Sequence, residues 1–287
     1  MNNRYTQWLI NVGGKLYKAG GIYWRKYNGA LVPAKATQCY VELDDSDIKL
    51  LLKESKAWFI RYSSNPQHEV SSWWYIVCQQ YDKARLSGNT RSKVNRGRKR
   101  CEVRLLDAVW MEEHGYECYR AAYRRYINAT PVDEKTFKRS IAQKRNGPFE
   151  WWGVFFGDTL AGYCECLVEE NEVATNIIKL HPDYLKQYSS YALFDVLLTH
   201  YQEKGMVISN GNRSIAHDTN MQDFLIKFGF EKQYCILNVH YSMLLNMVIA
   251  LLYPMRFLIN KLPDKFYVYH IKSILFQHNI VRDCNNG

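Results

Sequence analysis

The chain has 287 residues, 47% hydrophobic, 15% aromatic and 23% charged, so it can bury one large core or two small ones and is not disordered over its bulk. A formal net charge of +10 points to a polyanionic partner: a nucleotide, RNA, a lipid headgroup surface or a phosphorylated glycan precursor. The first eight residues lack the apolar stretch and small-residue cleavage site of an export signal, so the expected location is cytoplasmic, at most peripheral to the inner face of the membrane.

Residues 20–30 alternate aromatic and polar side chains around Asn28 and Gly29, a tight-turn dipeptide, and predict a hairpin. Asp44 stands in capping position before the apolar run 48–53, which predicts a helix. Residues 57–62 predict a strand, 63–67 a loop, and the aromatic run 71–80 a second helix. The densest basic segment, 91–100, precedes a short alternating strand over 101–106, and Asp107 is placed to cap the helix carrying Val109, Trp110 and Met111. A helical run over 117–127, the Thr130 and Pro131 loop and a further capped segment lead to a break at Gly147 and Pro148. Eight cysteines show neither CxxC nor paired Cys/His spacing; reduced structural thiols and no metal site are expected.

Beyond the break the pattern becomes regular. Strands over 151–156, 160–168 and 173–180, joined by turns at 157–159 and 169–172, lead into a helix over 191–204. A fourth strand at 206–209, a helix ending near Lys227 with Gly229 as left-handed cap, and a last strand over 230–241 complete the series. The predicted division is residues 1–148, 149–241 and 242–287, the last a helical extension. Its apolar run 243–259, interrupted by Asn246, Pro254 and Arg256, is a poor bilayer span, for which about 20 residues are needed. The run either packs on the core or lies at a membrane surface beside Lys261, Lys265 and Lys272.

Two motifs lie in the regular series. Residues 187–192 link the third strand to its helix, and Lys227, Gly229 and Phe230 end the next helix. Strand order and both motifs resemble the GNAT superfamily of N-acyltransferases. Its Q/R-x-x-G-x-G/A loop is matched at Gln187 and Ala192, with Ser190 in place of the first glycine; its Y-x-K-x-G-F ending is matched except at Leu225, where the family has tyrosine. The resemblance implies an α/β (α+β) fold: a GNAT-like mixed sheet flanked by helices, with a smaller N-terminal lobe. It implies an acyl-CoA, in the first instance acetyl-CoA, as co-substrate, its pyrophosphate held near Gln187, Ser189, Ser190, Tyr191 and Ala192 by N–H groups at a helix N-terminus. It also implies a general acid for the departing thiolate; Leu225 cannot serve, and Tyr234 is the nearest replacement. Asn210 is placed to bond the pantetheine arm or the acceptor. His217, with Asp218 beside it, and Glu165 are candidate bases for the acceptor amine.

Thr90, Arg91, Val94, Gly97 and Lys99 fall at the positions of a second family's T-R-x-x-(I/V)-x-x-(A/G)-x-K segment. That segment resembles the Fem aminoacyl transferases, which build peptidoglycan bridges on paired GNAT-like lobes. The resemblance implies aminoacyl-tRNA as donor, for which a basic segment suits phosphate contact. The chain is short for a Fem enzyme and has no coiled-coil arm, which favours the thioester. The expected function is transfer of an acyl group from acyl-CoA to an amine acceptor such as an amino sugar or cell-envelope precursor. Transfer from aminoacyl-tRNA and binding without catalysis are the alternatives.

Overall fold

The computed structural model describes residues 3–35, 39–67, 71–126, 129–215 and 220–286. The chain folds as two compact units, one from residues 1–75, 212–219 and 232–287, the other from 76–211 and 220–231. These units cut the chain differently from the three sequence segments: residues 149–241 fall mostly in the second unit, and the C-terminal helices belong to the first.

The first unit opens with helix α1 (Arg4–Asn11), strands β1 (Leu16–Ala19), β2 (Ile22–Tyr27) and β3 (Ala30–Pro33), helix α2 (Asp45–Ser55) and strand β4 (Phe59–Gln67). Asn28 and Gly29 take φ of 48° and 79°, so β2 and β3 are joined by the turn their dipeptide predicts. Asp44 accepts from the Asp47 N–H at 2.8 Å and starts α2 as expected. Two expectations fail here. The strand predicted to stop at residue 62 continues to Gln67, paired with a later strand. The run 71–80 holds a strand, β5 (Trp74–Cys78), because aromatic and β-branched side chains in succession suit a pleated surface better than a helix. Helix α1, which no periodic apolar run announces, is capped by Asn3, which accepts from the Thr6 N–H at 2.7 Å. Trp24, Leu31, Leu51 and Ile60 are the fully buried centre of this unit.

The second unit contains α3 (Gly88–Arg100), β6 (Glu102–Leu106), α4 (Ala108–His114), α5 (Tyr116–Ala122), α6 (Glu134–Ala142), β7 (Phe149–Phe156), β8 (Thr159–Val168), β9 (Glu172–Leu180), α7 (Ser189–Glu203), β10 (Val207–Asn212) and α8 (Met221–Ile226). Its strands run in the order β6-β7-β8-β9-β10, antiparallel as far as β9, with β10 parallel to β9 after the α7 crossover. Strands β7 and β8 bury almost every side chain, which is why they read as continuous apolar runs. Helix α7 buries Ala192, Leu193, Phe194, Leu197, Leu198 and Tyr201, consistent with a helix packed on a sheet face.

The chain returns to the first unit as β11 (Glu231–Tyr241), antiparallel to β4, and ends in α9 (Met243–Leu252), α10 (Arg256–Ile259) and α11 (Phe266–Asn286). The first unit's strands run β1-β2-β3-β4-β11, with β3 and β4 parallel. Leu245 and Ile249 seat α9 on Ala30 and Phe59.

Candidate functional site

Strands β9 and β10 pair only from Glu172 opposite Val207 to Ala174 opposite Ser209, after which β9 runs on to Leu180. The splay coincides with a bulge. Glu165 of β8 opposes Ile177 while Cys166 opposes Thr175, leaving Asn176 as the extra residue on β9. Side chains join the strands where the ladder stops: Asn210 Nδ2 donates to Thr175 Oγ1 at 2.7 Å, and Thr175 Oγ1 donates to the Ser209 carbonyl at 3.1 Å. The Ser209 hydroxyl is buried beside them without a hydrogen-bond partner among the described residues. The carboxyl ends of the two parallel strands and the N-terminus of α7 meet at this end of the sheet, the usual place for a ligand in such topologies.

Glu165 is not solvated. It is 1% exposed and accepts from Lys144 Nζ at 2.6 Å and from Asn176 Nδ2 at 2.7 Å. Both oxygens are engaged, so the carboxylate pins the bulge to the turn after α6.

A 3-10 turn over Pro182–Gln187 leads into α7 through Tyr188, whose φ of 61° is left-handed. The Tyr188 carbonyl accepts from the N–H groups of Tyr191 and Ala192 at 3.0 and 3.1 Å. Helix α3 lies against this turn. A Cβ at Gly97 would stand 2.5 Å from the Tyr188 carbonyl oxygen and 3.2 Å from the Ala192 nitrogen, so only glycine permits the approach. Arg96 donates to the Tyr188 hydroxyl at 3.1 Å, Arg100 to Gln187 Oε1 at 3.2 Å, and the Lys93 ammonium lies 5.5 Å from the Tyr191 ring centre. Deeper between the helices, buried Asp195 of α7 accepts from the Tyr81 hydroxyl at 2.7 Å, with Arg98 Nε at 3.7 Å and Lys83 Nζ at 3.8 Å. Packed against α3, Ser189, Ser190 and Ala192 are 0%, 8% and 0% exposed. The turn expected to cradle a pyrophosphate is thus a buried helix contact, flanked by basic side chains of α3 that reach its Gln187, Tyr188 and Tyr191.

Lys179, which no motif singles out, is a further candidate. It stands on β9, 9% exposed, with its ammonium 4.1, 4.6 and 5.6 Å from the ring centres of Tyr123, Tyr126 and Tyr119. Burial brings its pKa down to about 8, and ring faces rather than a carboxylate compensate the charge. The spacing of the three tyrosines, one helical stripe, was the available signal.

The candidate residues therefore divide. Gln187, Ser189, Ser190, Tyr191 and Ala192 form the α7 turn, and Asn210 and Glu165 stand at the splay and its bulge, all in the second unit. Tyr234 belongs to the first unit, where it faces Gln67 in the β4–β11 register and its ring lies 6.2 Å from that of Trp74. His217 and Asp218 lie outside the described residues. Leu225 is fully buried, as its apolar side chain requires. Among the described residues, no group of three or more His, Cys, Asp or Glu side chains could hold a metal ion.

No family model matches the sequence, and no curated protein matches it. Solved structures do match. The C-terminal domain of a protein assigned as lysylphosphatidylglycerol synthetase from Agrobacterium fabrum aligns at a TM-score of 0.55 and 11% identity, over 87% of this chain and 94% of that one. L-PGS from Bacillus licheniformis aligns at 0.54 and 12% identity, over 86% and 95%. FemX aligns at 0.54 and 10% identity, over 86% and 92%. At such identities the likeness is one of fold: the GNAT-type, Fem-like mixed sheet flanked by helices that the strand order predicts.

Proposed function

We propose that this protein is an acyltransferase that moves an aminoacyl group from the 3′ end of a tRNA to an acceptor amine. The observation that carries the choice of donor is the seat of α3 on α7: Gly97 closes the turn where an acyl-CoA would set its pyrophosphate, while Arg91, Lys93, Arg96, Arg98, Lys99 and Arg100 line the same helix. A helix so placed blocks one polyanion from a narrow cradle and offers a broad surface to another. The fold it shares with FemX and L-PGS supports the same class of reaction, since Fem-type enzymes draw on aminoacyl-tRNA.

In this reading the amine nitrogen attacks the ester carbonyl, negative charge gathers on the carbonyl oxygen, and the ribose oxygen leaves with a proton. N–H donors of β9 beyond its last pair with β10 are suited to stabilise that oxygen. Asn210, tied to Thr175, holds the mouth of the splay in shape. His217 is the candidate base for the amine proton. A transfer assay with charged tRNA tests the donor. Replacing exposed Arg91 and Lys99 by glutamine should weaken tRNA binding and flatten its salt dependence by nearly one unit of slope for each phosphate no longer neutralised. Unchanged transfer and an unchanged slope would remove α3 from the donor site.

A further inference from the structure

Helices α9 and α10 bury little of what they carry. Leu245 and Ile249 face the first unit's core, whereas Met243, Leu244, Met247, Leu251, Phe257 and Leu258 are 56–77% exposed. Of the 22 large hydrophobic side chains exposed among the described residues, ten lie between Met243 and Tyr267, so this surface is gathered rather than scattered. Isolated exposed apolar residues need no explanation; a contiguous patch marks an interface.

The charge around the patch selects the occupant. No Asp or Glu occurs between Ser242 and Pro263, while Arg256 and Lys261 fall inside that stretch and Lys265 just after it. Asp264, the next acidic residue, is held at 2.6 Å by Lys272, which also donates to the Leu262 carbonyl, so Lys272 is engaged within the fold. Lys261 and Lys265 are exposed, and Arg256 lies 4.3 Å from the ring centres of both Tyr253 and Phe257. The stripe is broken at Tyr253–Met255, where a 3-10 turn carrying Pro254 separates ten residues of α9 from four of α10. A partner helix would have no continuous groove to follow. A second copy would set the same cations opposite each other around a two-fold axis. No helix of the described residues is long and apolar enough to cross a membrane.

We infer that α9 and α10 dock the protein on an anionic lipid surface. Their apolar side enters the boundary between headgroups and acyl chains, and Lys261 and Lys265 reach lipid phosphates. This inference stands apart from the choice of acyl donor, because none of these residues belongs to the α3–α7 packing.

Flotation of the full chain with vesicles of phosphatidylcholine, with and without phosphatidylglycerol, tests it. The protein should float with the mixed vesicles, and added salt should reduce the bound fraction. Leu251→Glu together with Phe257→Glu should lower partitioning at least about tenfold, and Lys261→Gln or Lys265→Gln about fivefold each. The four side chains are exposed, so thermal melting should stay unchanged and loss of binding cannot be mistaken for unfolding. Absence of the protein from the floated fraction with both vesicle types overturns the inference. So does binding that the glutamate pair leaves intact, or a dimer, seen by analytical ultracentrifugation, that the same pair dissociates.

Discussion

Helix α3 in the second unit and helix α9 in the first each bury only a thin stripe. Thr90, Val94 and Gly97 seat one, Leu245 and Ile249 the other. What each carries beside its stripe is opposite: α3 has six arginines and lysines in thirteen residues, α9 has exposed methionines, leucines and valine. A narrow apolar line is enough to dock a helix, since packing rather than propensity supplies most helical stability. The exposed remainder is therefore free to be chosen for a partner, which the two proposals above take to be a polyanion in one unit and a lipid layer in the other.

The comparison can be broken from the buried side. Gly97→Leu drives a side chain into the Tyr188 carbonyl and should cost about 4 kcal/mol, read by chemical denaturation, with loss of the α3 seat. Ile249→Ala removes half of the α9 stripe and should cost about 3 kcal/mol in the same measurement. Were either change neutral, that helix would be held by something other than its stripe.

Lys179 sharpens the contrast, as a cation the second unit buries instead of displaying. Its folded pKa of about 8 lies below the ordinary lysine value of 10.5. Between those values the unfolded chain carries a proton that the folded chain lacks, so this residue's penalty shrinks as pH rises through the window and is largest below it. Lys179→Met should remove a rise in stability between about pH 8 and pH 10 worth on the order of 2 kcal/mol, the ring faces having offset part of the burial cost. Melting curves of both proteins across that range, compared by difference, check it. The smallest effects belong to the displayed sides: Met247→Gln and Lys99→Gln should each shift stability by less than about 0.5 kcal/mol.

The meander β7 to β9 was legible in the sequence because its turn residues and apolar runs are local features. So were Asp44 and Asp107 as helix caps, each of which accepts from the N–H three residues on. Strand β5 was misread because Trp73 to Val77 show no polar alternation, and an apolar run without period fits helix or strand. The candidate site was legible in outline only. Gln187 to Ala192 do open a helix at the splay, yet nothing local says that Gly97, ninety residues earlier, covers it. Glu165 looked like a free base because Lys144, the partner that decides the matter, lies in a different element. The left-handed Tyr188 had no glycine or asparagine to announce it.

The donor is the decisive point, and calorimetric titration of the protein with acetyl-CoA and, in parallel, with aminoacyl-tRNA tests it most directly. A closed α7 turn beneath a basic α3 predicts no heat with acetyl-CoA and salt-sensitive binding of the charged tRNA. Saturable acetyl-CoA binding that Gln187→Ala weakens, with no response to tRNA, would contradict it.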